Sequence, residues 1–200
     1  MAIKYPEALL KTIALFKKLP GVGSKTAERF AFYLLRWPQE ELIAFSNALQ
    51  ALSDKIKYCQ ECGCLEGEEG CIFCHHAQRD PQCLCLIASH RDAFTIEQTH
   101  SFRGLYHVIG KLLSPLHGVY GEHLCLDRLQ QRIASLGVQE IIIAFDSTIE
   151  GDVTALYIKE ALAPLALKIS RPAFGMPIGS TLDYIDGGTL ARALTGRQFF

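Results

Sequence analysis

The sequence has no apolar run approaching the ~20 residues that a membrane-spanning helix requires. Its first residues, MAIKYPEALLK, lack the hydrophobic core and the small-residue cleavage site of a secretory leader. It shows no internal repeat and no low-complexity segment. These absences point to a cytoplasmic protein with no membrane partner. In that compartment thiols stay reduced, so the eight cysteines require an explanation other than disulfides. What is present is ample apolar material: 49% of the 200 residues are hydrophobic, enough to bury a core in one domain or in several small ones.

The net charge of −1 hides an asymmetry. Residues 1–36 hold seven Lys or Arg against Glu7 and Glu28, a local balance of +5, which leaves −6 on the remainder. A basic module on an acidic body suggests a polyanionic partner for the first segment. A solvated helix face is the plainer explanation of the same charges.

The apolar spacing predicts helices over 6–18, 24–35 and 38–56. The last of these carries Leu42, Phe45, Leu49, Leu52 and Ile56 on one face. Between the first two stands Leu19-Pro20-Gly21-Val22-Gly23. Glycine reaches positive φ and lets another backbone come close. The next helix N-terminus offers unpaired N–H groups at the positive end of its dipole. Together they form a phosphate seat. Val22 is placed to anchor the turn, and Lys25 and Arg29, four residues apart, share a helix face. The stretch LPGVGSKTAERFAFYLL resembles the helix–hairpin–helix of DNA-repair proteins, with Gly21, Gly23, Lys25 and Arg29 as its DNA-binding residues. A simple corner between helices would also use these glycines, and the local positive charge favours DNA.

Residues 57–80 are rich in Cys, Gly and Glu. Cys59-x-x-Cys62, eight intervening residues and Cys71-x-x-Cys74 form two knuckles that bring four sulfurs to one metal. Four cysteines leave no open position, so the pattern predicts a structural zinc. A segment with so little core needs such a staple. Cys64, His75 or His76 remain alternative ligands. A redox CxxC fits poorly, since no thioredoxin-like strand precedes either pair. Cys83, Cys85 and Cys125 are expected to be core thiols.

From residue 84 the pattern turns α/β. Strands are expected at 84–88, 140–145 and 165–169, and helices at 91–98, 123–135 and 153–162, which argues for a parallel sheet covered on both faces. A short helix is expected over 189–194, with Gly187-Gly188 marking a turn. Asp146, Glu150 and Asp152 follow the strongest strand, where loops gather and carboxylates can hold Mg²⁺. Glu150 and Asp152 are read as an acidic loop that contacts a partner or binds Mg²⁺ weakly. His107 and His117 are read as hydrogen-bonded structural residues, and Trp37 as a helix-end packing residue.

Taken in order, these motifs resemble the bacterial RecR family of recombination mediators over essentially the full length. The resemblance rests on LPGVGSKTAERFAF, on CxxC…CxxC followed by Gln78-Arg79-Asp80, and on 103–109 and Ser114-Pro115-Leu116-His117-Gly118. It also rests on Ile149–Tyr157, on Arg171-Pro172-Ala173-Phe174-Gly175-Met176-Pro177 and on Leu182-Asp183-Tyr184. It implies an α/β protein with small modules: a helix–hairpin–helix DNA-binding module over 1–56, a four-cysteine zinc finger over 57–80, a Toprim-like parallel α/β domain over 81–176, and a C-terminal oligomerisation segment over 177–200. It further implies a non-catalytic mediator of DNA repair, assembled as a homo-oligomeric, tetrameric ring. Such a ring clamps single- and double-stranded DNA without sequence preference. With RecO and RecF, it helps load recombinase on single-stranded gaps. One departure bears on the alternative, a Mg²⁺-dependent Toprim nuclease or primase. Toprim enzymes place a Glu just after the first strand, where this chain has Ala88-Ser89-His90 and no carboxylate until Asp92. Such chemistry needs that Glu as a general acid or base.

Overall fold

The computed structural model describes residues 5–74, 78–173 and 175–197. Lys4, His75, His76 and Phe174 lie outside the described residues. The chain divides into two compact units, Met1–Ile56 and Lys57–Phe200.

The first unit is helical: α1 Glu7–Phe16, α2 Ser24–Leu34 and α3 Gln39–Lys55. Pro6 and Pro38 stand just before α1 and α3, where a missing N–H costs nothing. α1 and α2 meet through edge-to-face rings, Tyr5 with Phe32 at 5.4 Å and Phe16 with Phe30 at 5.8 Å. Ala27 and Ala31 are buried on α2, small enough to let the helices close. Trp37 packs its edge against Phe45 of α3 at 5.7 Å, as its place at a helix end suggests. The expected apolar face of α3 is there, but none of its residues is buried: Leu49 and Leu52 are 53% and 57% exposed.

The second unit opens with a small antiparallel ribbon, β1 Lys57–Tyr58 with β2 Leu65–Glu66. Then follow β3 Asp80–Ile87, α4 His90–Glu97, β4 Gly104–Val108, α5 Leu126–Leu136, β5 Glu140–Ala144, α6 Ile149–Leu162, β6 Lys168–Ser170 and α7 Gly187–Thr195. The sheet runs β4-β3-β5-β6 and every pair is parallel. Alternation along the strands separates two cores. Leu84, Leu86, Ile141 and Ile143 join Leu129 and Ile133 of α5 and Ile158 and Leu162 of α6. Cys85, Ile87 and Tyr106 join Ala93 of α4 together with Cys59, Cys62, Cys64, Cys71 and Phe73. The cysteine-rich segment therefore shares with α4 the cover of the second sheet face.

The structure corrects several expectations. Residues 149–152 are not a loop but the first turn of α6, which starts at Ile149, not Val153. Thr148 caps it by accepting from the Gly151 N–H at 3.1 Å, and acidic Glu150 and Asp152 suit a helix N-terminus. Leu165 belongs to a 3₁₀ turn, and the last strand begins only at Lys168. Gly187 and Gly188 open α7 behind an Asp186 cap instead of forming a separate turn. Cys125 is no core thiol, being exposed at φ 48° before α5, and Cys83 is only half-buried. Cys85 is buried, and that burial pushes its thiol up to about 12. Among the described residues, no helix is long and apolar enough to cross a membrane.

Candidate metal centre and nucleic-acid interface

In the first unit, α1 ends at Phe16 and the chain turns through Leu19, whose carbonyl accepts from Val22 N–H at 3.1 Å. Gly21 takes φ +77°, a conformation that side-chain-bearing residues avoid. Gly23 stands at the N-cap of α2, and among the described residues no side chain caps that end. A Cβ built on Gly21 or Gly23 meets nothing within 4 Å among the described residues, so both glycines border open space there. Lys25 and Arg29 are exposed on α2, one turn apart, and Val22 is half-buried. The structure thus puts the four residues named from the sequence on one short, exposed stretch.

In the second unit, Sγ atoms of Cys59, Cys62, Cys71 and Cys74 lie within 4.8 Å of one another. A tetrahedron with Zn–S about 2.3 Å has sulfur–sulfur edges of about 3.8 Å. Two opposite edges here, Cys59–Cys74 and Cys62–Cys71, measure 3.9 and 3.5 Å. No disulfide joins them, and all eight cysteines are free. Knuckle geometry is set locally: Gly63 N–H donates to Cys59 O at 2.9 Å, and Cys59 N–H donates to Cys64 O at 2.8 Å. Burial pushes the Cys71 thiol up to about 11, whereas hydrogen bonds from Cys64 and Cys74 favour the Cys62 thiolate, so neighbouring thiols can hold one buried thiolate and further ones need a cation to offset the loss of water. Four converging soft sulfurs fit zinc by distance and by chemistry. Cys64, also buried, lies outside the quartet, and its N–H donates to Cys62 Sγ at 3.4 Å.

The quartet is docked on the sheet. Val108 N–H at the end of β4 donates to Cys62 O at 2.8 Å. Phe73 meets Tyr106 at 5.4 Å and Phe94 at 5.1 Å, both edge-on. Arg79, from the Gln78-Arg79-Asp80 motif, lies over the rings of Phe73 and Tyr106 at 5.6 and 5.5 Å. It pairs with Glu97 at 3.0 Å. Burial works against the Glu97 carboxylate, but hydrogen bonds from Arg79 and Tyr106 outweigh it and hold that group below its ordinary range. Sequence reasoning missed two further arginines. Arg128 and Arg132 lie four apart on α5; Arg128 donates to Gln60 O within the first knuckle, and Arg132 Nη2 reaches Cys74 Sγ of the second at 3.5 Å. Their i,i+4 spacing in LDRLQQRIASL was the available signal.

The acidic residues are engaged differently. Asp152 accepts from Arg171 at 2.8 Å and from Arg192 of α7 at 3.0 Å. The Arg171 hydrogen bond above all holds its carboxyl below the usual range. Glu150 is exposed. Asp92, the first carboxylate after β3, accepts from Ser89 N–H at 2.7 Å in a capping box of α4. His107 is buried and hydrogen-bonded, as its reading from the sequence holds.

Comparison with known proteins agrees with this architecture. Residues 11–52 match the RecR helix-hairpin-helix family, 82–173 the Toprim domain and 175–198 the RecR C-terminal family. Recombination protein RecR of Protochlamydia amoebophila is 57% identical over 198 residues, 99% of this chain and all of that protein. That of Chlamydia caviae is 47% identical over 201 residues, 98% of each chain. That of Chlamydia trachomatis serovar D is 44% identical over 203 residues, 99% of this chain and all of its own. Identity of this extent over nearly the whole chain, with family matches over the hairpin, the Toprim region and the C-terminal segment, makes the chain a member of the RecR family of recombination proteins.

Proposed function

We propose that this chain is a non-catalytic, cytoplasmic recombination mediator that assembles as a tetrameric ring clamp on DNA. It acts with RecO and RecF to load recombinase on single-stranded gaps. The observation that carries the reading is the open hairpin of Gly21 and Gly23 with exposed Lys25 and Arg29 beside it, in a chain of this family. An uncapped helix end and two cations suit phosphate, and phosphate contacts position a protein without reading sequence. Residues 1–56 would then touch DNA, 57–80 form the zinc finger, 81–176 meet protein partners and 177–200 join subunits. Exposed apolar side chains support a subunit contact, with Leu182 60% and Tyr184 91% exposed in the last segment.

Cys59, Cys62, Cys71 and Cys74 are the residues that would hold zinc. With every position filled by sulfur it supplies rigidity and no open site for chemistry. Asp152, held by two arginines, and Asp92, engaged in a helix cap, both favour the mediator over a Toprim nuclease or primase. For Glu150 and Asp152 a role at a partner surface fits better than Mg²⁺ binding.

The test combines DNA titration, light scattering at several concentrations and a Mg²⁺-dependent cleavage assay on single-stranded and duplex DNA. The expected result is sequence-independent binding to both forms, a concentration-independent oligomer and no turnover. Cleavage abolished by Glu150→Gln sinks the non-catalytic reading. Absence of DNA affinity sinks the hairpin reading in favour of a pure protein adaptor.

A further inference from the structure

We propose that Arg132 is the positioning residue of the cysteine quartet, a buried cation from the α/β body that fixes Cys74 and governs how readily the site gives up its metal. The inference rests on the reading of the quartet as a zinc site and adds a residue outside both knuckles to it.

Arg132 stands on α5, fifty-eight positions beyond Cys74 in sequence, and is only 6% exposed. Its guanidinium makes three contacts that leave it no room to swing. Nη2 donates to Cys74 Sγ at 3.5 Å, while Nη1 donates to Tyr106 O at 2.6 Å and to His107 Nδ1 at 3.3 Å. Arginine only donates, so His107 accepts on Nδ1 and carries its proton on Nε2. Burial, with Arg132 and Arg128 nearby, pushes His107 down to about 4, which keeps it neutral and able to accept.

The physical need for such a residue follows from the donor set. A zinc ion with four thiolates carries excess negative charge, and a buried net charge is unfavourable unless paired and hydrogen-bonded. Arg132 supplies the charge, and its N–H···S bond draws electron density from one sulfur. Cys74 is also the one member of the quartet that is not fully buried. It is therefore the sulfur most open to attack by protons or electrophiles, and the one Arg132 covers. Outer partners of metal ligands typically change metal affinity by about 10–100-fold when removed.

The test uses the full chain. Zinc content of the wild type is measured first, then zinc release to a chelator and the order in which cysteines react with iodoacetamide, mapped by mass spectrometry. Arg132→Gln should release zinc about 10–100-fold faster, with Cys74 alkylated first among the four cysteines of the quartet, after the exposed Cys125. Arg132→Lys keeps the charge but cannot span Cys74 and Tyr106 together, so its release rate should fall between. It also guards against misfolding of the glutamine variant. Arg128→Ala, which removes the bond to Gln60 O and a charge near His107 but no contact to a sulfur, should speed release less than either Arg132 variant. In cobalt-loaded protein the sulfur-to-metal charge-transfer band should shift in both Arg132 variants and not in Arg128→Ala. Wild-type release rates, an unshifted band and no preference for Cys74 in folded Arg132 variants overturn the inference while leaving the zinc reading intact. A wild-type chain without zinc overturns both.

Discussion

Replacing Lys25 and Arg29 together by alanine tests whether α2 seats a phosphate backbone. Both side chains are exposed on one helix face beside the open hairpin, so their removal leaves no buried vacancy and little stability is lost. Each phosphate contact contributes about 0.9 to the slope of log affinity against log salt on duplex DNA. Two lost contacts per hairpin flatten that slope by about 1.8. Between 50 and 200 mM salt this corresponds to about twelvefold, so the penalty seen at low salt shrinks by that factor at high salt. An assembly with two hairpins on DNA at once doubles the change in slope. Fluorescence anisotropy of labelled duplexes of unrelated sequence, titrated at several salt concentrations, provides the measurement. Loss should be equal across sequences, because phosphate contacts carry no base information. Parallel salt slopes for wild type and variant would refute the placement of DNA at the hairpin. Weakening confined to one sequence would refute the claim that these contacts read no bases.

Three further outcomes follow from particular geometries. Gly23→Ser places a stronger N-cap at φ −79° and ψ 173° with open space around it, so stability should hold or rise by about a few tenths of a kcal/mol while DNA affinity falls. Equal affinity by titration, with unchanged thermal melting, shows that close backbone approach there is not needed. Asp152→Asn removes the charge held by Arg171 and Arg192; pairs this exposed contribute about 0–1 kcal/mol. Because the folded carboxyl titrates below its ordinary value near ~3.9, the wild-type contribution is complete above that value and is lost as pH falls through the lower folded one. Melting curves across that window should converge for the two chains at low pH and separate above it; curves that stay parallel refute the pairing. Gly151→Ala puts a Cβ 2.1 Å from the Asp146 carbonyl oxygen, so the first turn of α6 must shift, at a cost of about 1–3 kcal/mol in a denaturant titration. An unchanged midpoint contradicts that packing.

The features most legible in the sequence were those with a short-range physical rule behind them. Aliphatic runs such as Leu84–Ile87 and Ile141–Ile143 are buried on both sides of a parallel sheet and betray themselves without context. Two CxxC pairs announce a convergent quartet because the knuckle is local. The pairing of β4 was not legible in the same way. GLYHV mixes a glycine and a histidine into a short edge strand, and His107 is there to meet an arginine that only tertiary packing supplies. The acidic stretch reads as a loop because it follows the strongest strand, where loops gather, yet it opens α6 with Gly151 in its first turn. That glycine is tolerated in α6 because the Asp146 carbonyl crosses where a Cβ would sit. The exposed face of α3 illustrates the opposite limit: heptad-like spacing reports an apolar stripe but not what covers it.

The cysteine segment forms part of one wall of the large sheet's second core, yet all four cysteines of the quartet precede every strand of that sheet in the chain. Synthesis from the N-terminus therefore delivers the wall before the room it closes. The knuckles span sixteen residues and close over short loops, whereas the parallel strands must wait for distant partners. With zinc in the quartet as proposed, a shortage of the metal would be registered early, as nascent chains whose sheet has one face bare, and not as finished proteins lacking a finger.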